Sequence, residues 1–129
     1  MLLTFQSRCF IVVAALLGAT AVMLGAYASH GLASWASMQQ VGYVQLAVKY
    51  QLFHTITLLM IALLSTFFPH RLLSISLWAF TLGTVCFSGS LYYLVFAGSP
   101  LLALITPLGG LLLITAWLCV AMSMFFKQK

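Results

Sequence analysis

Four long apolar stretches, separated by short polar or proline-containing segments, are the strongest constraint on how this chain can fold. Each reaches or exceeds the roughly 20 residues that an α-helix needs to cross about 30 Å of hydrocarbon. None alternates polar and apolar residues with a period of two, which disfavours a transmembrane β-barrel. We therefore predict an all-α, polytopic membrane protein, a bundle of four transmembrane helices at about 9–28, 50–68, 72–97 and 101–126.

The composition excludes the soluble and disordered alternatives. The chain has 129 residues, of which 64% are hydrophobic and 4% are charged, and it contains no Asp or Glu. A soluble domain carries about 25% charged residues, and a disordered chain combines low hydrophobicity with high charge. The length fits one transmembrane domain, 1–129, whose longest connection is predicted on the outer side at about 29–49. This segment is interpreted as an interfacial turn followed by an early, partly exposed start to the second helix.

The five cations predict how the helices are oriented. With four crossings, Arg8, Arg71, Lys127 and Lys129 fall on one side of the membrane, and Lys49 alone falls on the other. Short cytoplasmic loops carry an excess of Lys and Arg, so both termini are predicted in the cytoplasm (N-in, C-in). Because the cations are scattered rather than clustered on one polar face, no nucleic-acid partner is expected.

The first apolar stretch has one alternative interpretation, a secretory signal peptide. Arg8, an apolar run and then Ala26-Tyr27-Ala28 resemble such a segment with an A-x-A cleavage site. Its removal would take away about 28 residues and leave three helices. The run is long for a signal peptide and carries a packing stripe of its own, so a retained first helix is favoured.

Small residues recur down the first helix at spacings of four and three, at Ala14, Gly18, Ala21, Gly25 and Ala28. Small residues allow helix backbones to approach closely, which matters in lipid because no hydrophobic effect drives helices together there. We predict that Gly18, Ala21 and Gly25 pack against a neighbouring helix of this chain or of another copy. Helix packing is also predicted for Gly109 and Gly110 in the fourth helix.

Several polar side chains fall at a similar depth in the outer half of the membrane. Counted from the cytoplasmic ends of their helices, His54 lies at about 21 Å, and Thr84 and Ser88 at about 18 and 24 Å. The predicted polar layer comprises His54, Tyr50, Gln51, Thr84 and Ser88. It either fixes the bundle through hydrogen bonds between helices, or it lines a small cavity or proton path around an ionisable side chain.

Two further polar residues are predicted at the outer boundary of the membrane. At 100° per residue, Lys49 points away from the helix face that carries His54, and its ammonium is expected to reach phosphates or water. His30 lies in the predicted outer connection with Trp35 and Tyr43. Those two aromatic rings suit the headgroup level.

The sequence carries no recognisable catalytic or metal-binding motif. Without carboxylates, the chain lacks the usual general acids and bases apart from histidine. His30, His54 and His70 are too widely spaced for zinc, which needs three or four converging ligands, and the three cysteines show no C-x-x-C spacing. Ser88 beside His54 would be a nucleophile and base with nothing to orient the imidazole. No cofactor, metal or catalytic residue is predicted.

Four sequence blocks are distinctive. They are G-A-Y-A-S-H-G-L at 25–32, V-K-Y-Q-L-F-H-T at 48–55, F-S-G-S-L-Y at 87–92 and T-P-L-G-G at 106–110. Together they closely resemble the domain-of-unknown-function 423 family, which is related to the eukaryotic transmembrane protein 256. The resemblance covers nearly the whole chain and implies four transmembrane helices in the bacterial inner membrane. It implies no activity and no catalytic residues.

Two classes of function remain open from the sequence. The first is a non-enzymatic small subunit or assembly protein that binds another membrane protein, a further copy of itself or lipid. The second is a minimal transporter or channel for protons or a small solute, which would use the polar layer around His54. Pro107, Gly109 and Gly110 would loosen the fourth helix for such a role. An enzyme is disfavoured.

Overall fold

The computed structural model describes residues 3–126 and confirms four helices that are long and apolar enough to cross a membrane. The predicted all-α class is therefore confirmed. Lys127 and Lys129, two of the cations behind the predicted orientation, lie outside the described residues. The elements are α1 Phe5–His30, α2 Met38–Phe67, α3 Arg71–Phe96 and α4 Ile105–Phe125, with 3-10 turns at Leu32–Ser34 and Pro100–Leu102.

The two ends of the bundle are distinguished by their charged residues. A hydrogen bond of 3.2 Å between Ser74 Oγ and Gln6 Oε1 holds the beginnings of α3 and α1 side by side. Arg8 and Arg71 therefore lie at the same end. We call this the inner end, following the predicted orientation, and we call the opposite end the outer end.

The outer connection between α1 and α2 is much shorter than the predicted 29–49. Ser37 begins a capping box, in which its hydroxyl accepts from Gln40 N at 3.2 Å and the Gln40 side chain accepts from Ser37 N at 2.9 Å. Such a box satisfies two backbone donors that a helix start leaves free. As a result α2 begins at Met38. The helix starts about twelve residues before the apolar span at 50–68, within the segment where an early helix start was predicted.

The starts of two other helices also differ from the prediction for local reasons. Thr4 caps α1 by accepting from Ser7 N at 3.1 Å, so the helix begins at Phe5 rather than near residue 9. In α4, Pro100–Leu102 form a separate 3-10 turn, and the α-helix itself begins at Ile105 rather than at 101. These shifts leave the order and number of spans unchanged.

Helix α2 is longer than the membrane is thick. Its 30 residues extend for about 45 Å, compared with about 30 Å of hydrocarbon. Its outer turns pack with the 3-10 turn and the ends of α1 and α3 into a small second core, formed by Ala28, Leu32, Val44, Val48 and Val95. Trp35 Nε1 donates to the Tyr27 hydroxyl at 2.8 Å beside this core, so the outer end is a packed cap.

The small-residue stripe of α1 packs against α2 of the same chain. Ala14, Ala21 and Ala28 are at most 3% exposed. A Cβ added to Gly18 would lie 3.4 Å from Thr55 Cγ2, and one added to Gly25 would lie 3.1 Å from a Val48 methyl. The close approach that the stripe predicts is therefore made within the bundle.

Helices α3 and α4 approach each other still more closely, through two glycines placed reciprocally. A Cβ added to Gly109 of α4 would lie 2.8 Å from Phe87 Cα, and one added to Gly83 of α3 would lie 3.0 Å from Leu113 N. Phe87, four residues after Gly83, thus packs on Gly109. Leu113, four residues after Gly109, packs on Gly83. A packing role was predicted for Gly109 but not for Gly83, because a single glycine in a helix has no repeat to signal it.

The inner half of the bundle is filled by an apolar core. Leu58, Leu73, Leu77 and Phe80 are at most 1% exposed, and they belong to one cluster with residues from all four helices. Beside this core, the inner end also carries hydrogen bonds between α1 and α2, from Ser7 to Ser65 and from Thr66 to Ser7. The outer half carries a further set of polar side chains and an open groove beside α4.

Candidate functional site

The residues of the predicted polar layer occupy two different flanks of α2. Gln51, Ser88 and Thr84 lie where α2 meets α1 and α3, beside a small cavity. Tyr50 and His54 lie on the flank that faces α4, beside a larger groove. We call the first the hydrogen-bonded flank and the second the groove.

Gln51 is the centre of the hydrogen-bonded flank. It is 4% exposed, and its Nε2 donates to Leu17 O at 2.8 Å and to Thr20 Oγ1 at 2.9 Å. Its Oε1 accepts from the Tyr92 hydroxyl at 2.7 Å. These bonds join α1, α2 and α3 at one point, and a hydrogen bond between membrane helices contributes about 0.6 kcal/mol on average.

Ser88 makes a second link on this flank, from α3 to α2. Its hydroxyl donates to Ala47 O at 2.8 Å, and the side chain is 2% exposed. Ser88 is therefore bonded to a backbone carbonyl and not to His54, so the serine–histidine pair that the sequence left open is not formed. The adjacent cavity has a volume of about 220 Å³, and its polar lining residues are Thr20, Gln51, Thr84, Ser88 and Tyr92.

Thr55 differs from Gln51 and Ser88, whose side chains are hydrogen-bonded. Its hydroxyl oxygen is the one buried side-chain polar atom of residues 3–126 that has no hydrogen-bond partner. The methyl group of the same side chain faces Gly18 of α1. Leaving a buried hydroxyl unpaired costs stability, so Thr55 is a natural position to test by substitution.

His54 is held on the groove side by hydrogen bonds to both ring nitrogens. The ring is 6% exposed, and its Nδ1 lies 2.8 Å from Tyr50 O. Because a carbonyl oxygen only accepts, Nδ1 carries the hydrogen and Nε2 is left as an acceptor. Trp117 Nε1 donates to that Nε2 over a long 3.4 Å. The pair of contacts fits a neutral imidazole that connects α2 to α4.

Aromatic rings surround His54. The ring centroids of Tyr50, Phe53, Phe80 and Trp117 lie 5.8, 5.3, 5.9 and 6.4 Å from that of the imidazole. Tyr50 also stacks on Phe87 with centroids 4.4 Å apart. Phe80 is fully buried and belongs to the inner apolar core. The imidazole therefore borders a dry core on its inner side.

The groove is an opening in the outer half that could receive another molecule. Its volume is about 450 Å³, within the roughly 300–1,000 Å³ of small-molecule sites. Its walls are almost entirely apolar, with His54 in the floor. The lining residues are Lys49, Tyr50, Phe53, His54, Phe87, Gly110, Leu113, Ile114 and Trp117.

Lys49 lies at the rim of this groove, which Tyr50 and His54 also line. The sequence predicts that Lys49 points away from the helix face of His54, and a lysine side chain is long enough to border a space on the neighbouring face. Lys49 is exposed, and it lies about 27 Å from the inner end of α2 at Phe67. This height corresponds to the outer boundary of the hydrocarbon.

The apolar residues of the groove were missed by sequence reasoning, which weighed mainly polar groups. Gly110, Ile114 and Trp117 are spaced by four and three residues and so share one face of α4. That spacing was a usable signal. Gly110 itself was predicted to serve packing, but a Cβ added there would lie 3.9 Å from Phe87 Cδ2, an ordinary contact. Its small size opens the groove instead.

His30, the other predicted boundary residue, is the last residue of α1 and is exposed. It lies at the outer end, away from the groove-lining residues. Trp35 is half-exposed nearby, with its ring 6.1 Å from that of Phe96. The placement of both residues agrees with the level expected for the membrane boundary, and no further role follows from it.

Comparisons with known proteins place the chain in a family. A family model described as "Protein of unknown function (DUF423)" matches residues 24–110. A UPF0382 membrane protein of Haemophilus influenzae is 36% identical over 120 residues, which cover 93% of this chain and 95% of the relative. A UPF0382 membrane protein of Staphylococcus haemolyticus is 37% identical over 122 residues, with coverages of 92% and 96%.

The UPF0382 inner membrane protein YgdD of Escherichia coli is 36% identical over 117 residues, which cover 86% of this chain and 85% of the relative. No solved structure matches the chain. The matched range of the family model includes Lys49, His54 and Gly110, and hence most of the groove. The chain therefore belongs to the DUF423 family and is a multi-pass protein of the cell inner membrane.

Proposed function

We propose that this protein is a small, non-enzymatic membrane protein that binds a hydrophobic constituent of the membrane in the groove between α2 and α4. The groove itself is the observation that carries the proposal. It opens about 450 Å³ between two helices, beside an imidazole that is itself buried. Ligand sites are typically apolar cavities with few polar groups, and this groove has that character.

The state of the polar side chains supports a binding role over catalysis. Covalent catalysis needs a nucleophile within hydrogen-bond reach of a base. Ser88 donates to a backbone carbonyl, while His54 is bonded to Tyr50 O and contacted by Trp117. With both nitrogens of His54 engaged and no carboxylate in the sequence, the outer half offers hydrophobic surface rather than reactive groups.

Site-specific photocrosslinking in native membranes tests this proposal. A photoreactive phenylalanine analogue is placed at Ile114 in the groove, and in a matched variant at Leu118, one turn further along α4. The two side chains are 57% and 58% exposed, but only Ile114 lines the groove. We expect a discrete adduct at position 114 and none at position 118.

Blocking the groove provides the control. The substitution Gly110→Leu fills the space while meeting only ordinary contacts at its Cβ, and Gly89→Leu is the matched change at a glycine with nothing within 4 Å. Gly110→Leu is expected to abolish the adduct at position 114, and Gly89→Leu to leave it. Equal labelling at 114 and 118, or an adduct that survives Gly110→Leu, would refute the proposal.

A second candidate function, transport of a small polar solute, is favoured by the 220 Å³ cavity with its five polar side chains. The buried Phe80 beside His54 speaks against a continuous path. Flux of protons and small neutral solutes into proteoliposomes distinguishes the candidates. Flux above that of protein-free vesicles, and abolished by His54→Ala, would favour transport over binding.

A further inference from the structure

The groove combines two chemistries that rarely occur side by side inside a membrane. Lys49 contributes a cation at its rim, and aromatic and aliphatic side chains form its walls. The sequence contains no Asp or Glu, so no acidic side chain of this chain can neutralise the ammonium. A charge at the edge of the hydrocarbon needs a counter-charge or water, and phospholipid phosphates occupy that level.

The depths of the groove residues match the order of groups in a lipid. Lys49 lies about 27 Å from the inner end of α2, and His54 lies about 7 Å deeper. Between and beside them are Phe53, Ile114 and Trp117, which suit a hydrocarbon chain. Since both nitrogens of His54 are already engaged, the deep part of the groove offers little to a polar ligand. The occupant should be charged at one end and apolar along the rest.

The positive charge of Lys49 determines which amphipathic molecules can bind in the groove. Aromatic walls can attract cations, but a cationic ligand would lie next to the ammonium of Lys49 and be repelled. We propose that the occupant of the groove is an anionic phospholipid, with the phosphate at Lys49 and one acyl chain between α2 and α4. This inference rests on the proposed function of the groove.

Native mass spectrometry on protein reconstituted in nanodiscs tests this inference. The nanodiscs contain phosphatidylglycerol and phosphatidylethanolamine in a ratio of one to three, and the lipids that stay bound on release are counted. We expect one retained lipid per protein, enriched in phosphatidylglycerol. Removing one cation at a membrane surface weakens the attraction of an anionic lipid about fivefold, so Lys49→Gln should lower phosphatidylglycerol retention by that factor. Lys49→Arg should preserve it.

The groove variants separate failure of this inference from failure of the proposed function. If Gly110→Leu abolishes lipid retention while Lys49→Gln has no effect, the groove binds lipid but the phosphate contact is refuted. If neither substitution changes retention, both proposals fail. Equal retention of the two lipids would also overturn the anionic preference. A retained protein chain in place of a lipid, in samples extracted directly from cell membranes, would overturn the lipid assignment.

Discussion

On the flank of α2 that faces α1 and α3, Gln51 donates two hydrogen bonds and accepts one, and its partners lie on both neighbouring helices. On the flank that faces α4, Lys49 is exposed beside an apolar groove in a chain without acidic side chains. Both residues are polar groups of the same helix, only two positions apart. They differ in whether the bundle itself supplies their partners.

The difference separates a structural from a binding use of polar residues in a membrane. A side chain whose hydrogen bonds are completed within the bundle fixes the helices and has no capacity left for a ligand. A cation whose partner is absent from the chain, next to unfilled apolar space, retains that capacity. Substitutions on the two flanks should therefore have different effects, the first on the free energy of unfolding and the second on binding.

The largest loss of stability is expected at the contact between α4 and α3. The groove depends on this contact, because α4 forms one of its walls. Gly109→Ala would place a methyl group against the Phe87 backbone, and overpacking of this kind costs about 1–3 kcal/mol. Gly110→Ala, the neighbouring change towards the groove, should be nearly neutral. Unfolding in mixed detergent micelles measures both, and equal losses would show that the two glycines play the same role.

A smaller loss is expected on the hydrogen-bonded flank. Gln51→Leu removes the three bonds of the amide, and at the average found between membrane helices this lowers the free energy of unfolding by about 1–2 kcal/mol. Lipid retention in the groove should stay unchanged. Lys49→Gln is the reciprocal variant, with retention reduced and unfolding unaffected. If either substitution changed both properties, the separation of the two flanks would be lost.

The smallest effect, and one of opposite sign, is expected at Thr55. Thr55→Val replaces the hydroxyl that lacks a partner with a methyl group and retains the other methyl group that faces Gly18. Removing an unpaired buried hydroxyl should raise the free energy of unfolding by up to about 1 kcal/mol. Thr57→Val is the control, since that hydroxyl donates to Phe53 O at 3.0 Å. A loss of stability on Thr55→Val would indicate an unseen partner.

The sequence predicted the four spans well because their apolar lengths are set by the membrane itself. It also predicted the packing role of Gly18, Ala21 and Gly25, because that stripe repeats within one helix. The exact start of α2 was less predictable, since the polar residues of 29–49 indicate a turn and an early helix start without identifying the first helical residue. The capping box of Ser37 and Gln40 identifies it.

The division of the polar layer was beyond sequence reasoning. Depth along each helix is readable from residue counts, but the partner of a side chain depends on how neighbouring helices are rotated and crossed. That rotation brings Tyr92 to Gln51 and Trp117 to His54. The packing of α3 against α4 depends on Gly83 and Gly109, of which only Gly109 was predicted from the sequence.

The central claim is that the groove, and not the lipid-facing surface in general, holds the acyl chain of an anionic phospholipid. Phosphatidylglycerol with a photoreactive group in its acyl chain, reconstituted with the protein and mapped by peptide mass spectrometry, tests it directly. We predict adducts concentrated on Phe53, Ile114 and Trp117. Leu16 and Met23 of α1 are 63% and 70% exposed, so labelling that followed exposure alone, with as many adducts there as in the groove, would contradict the claim.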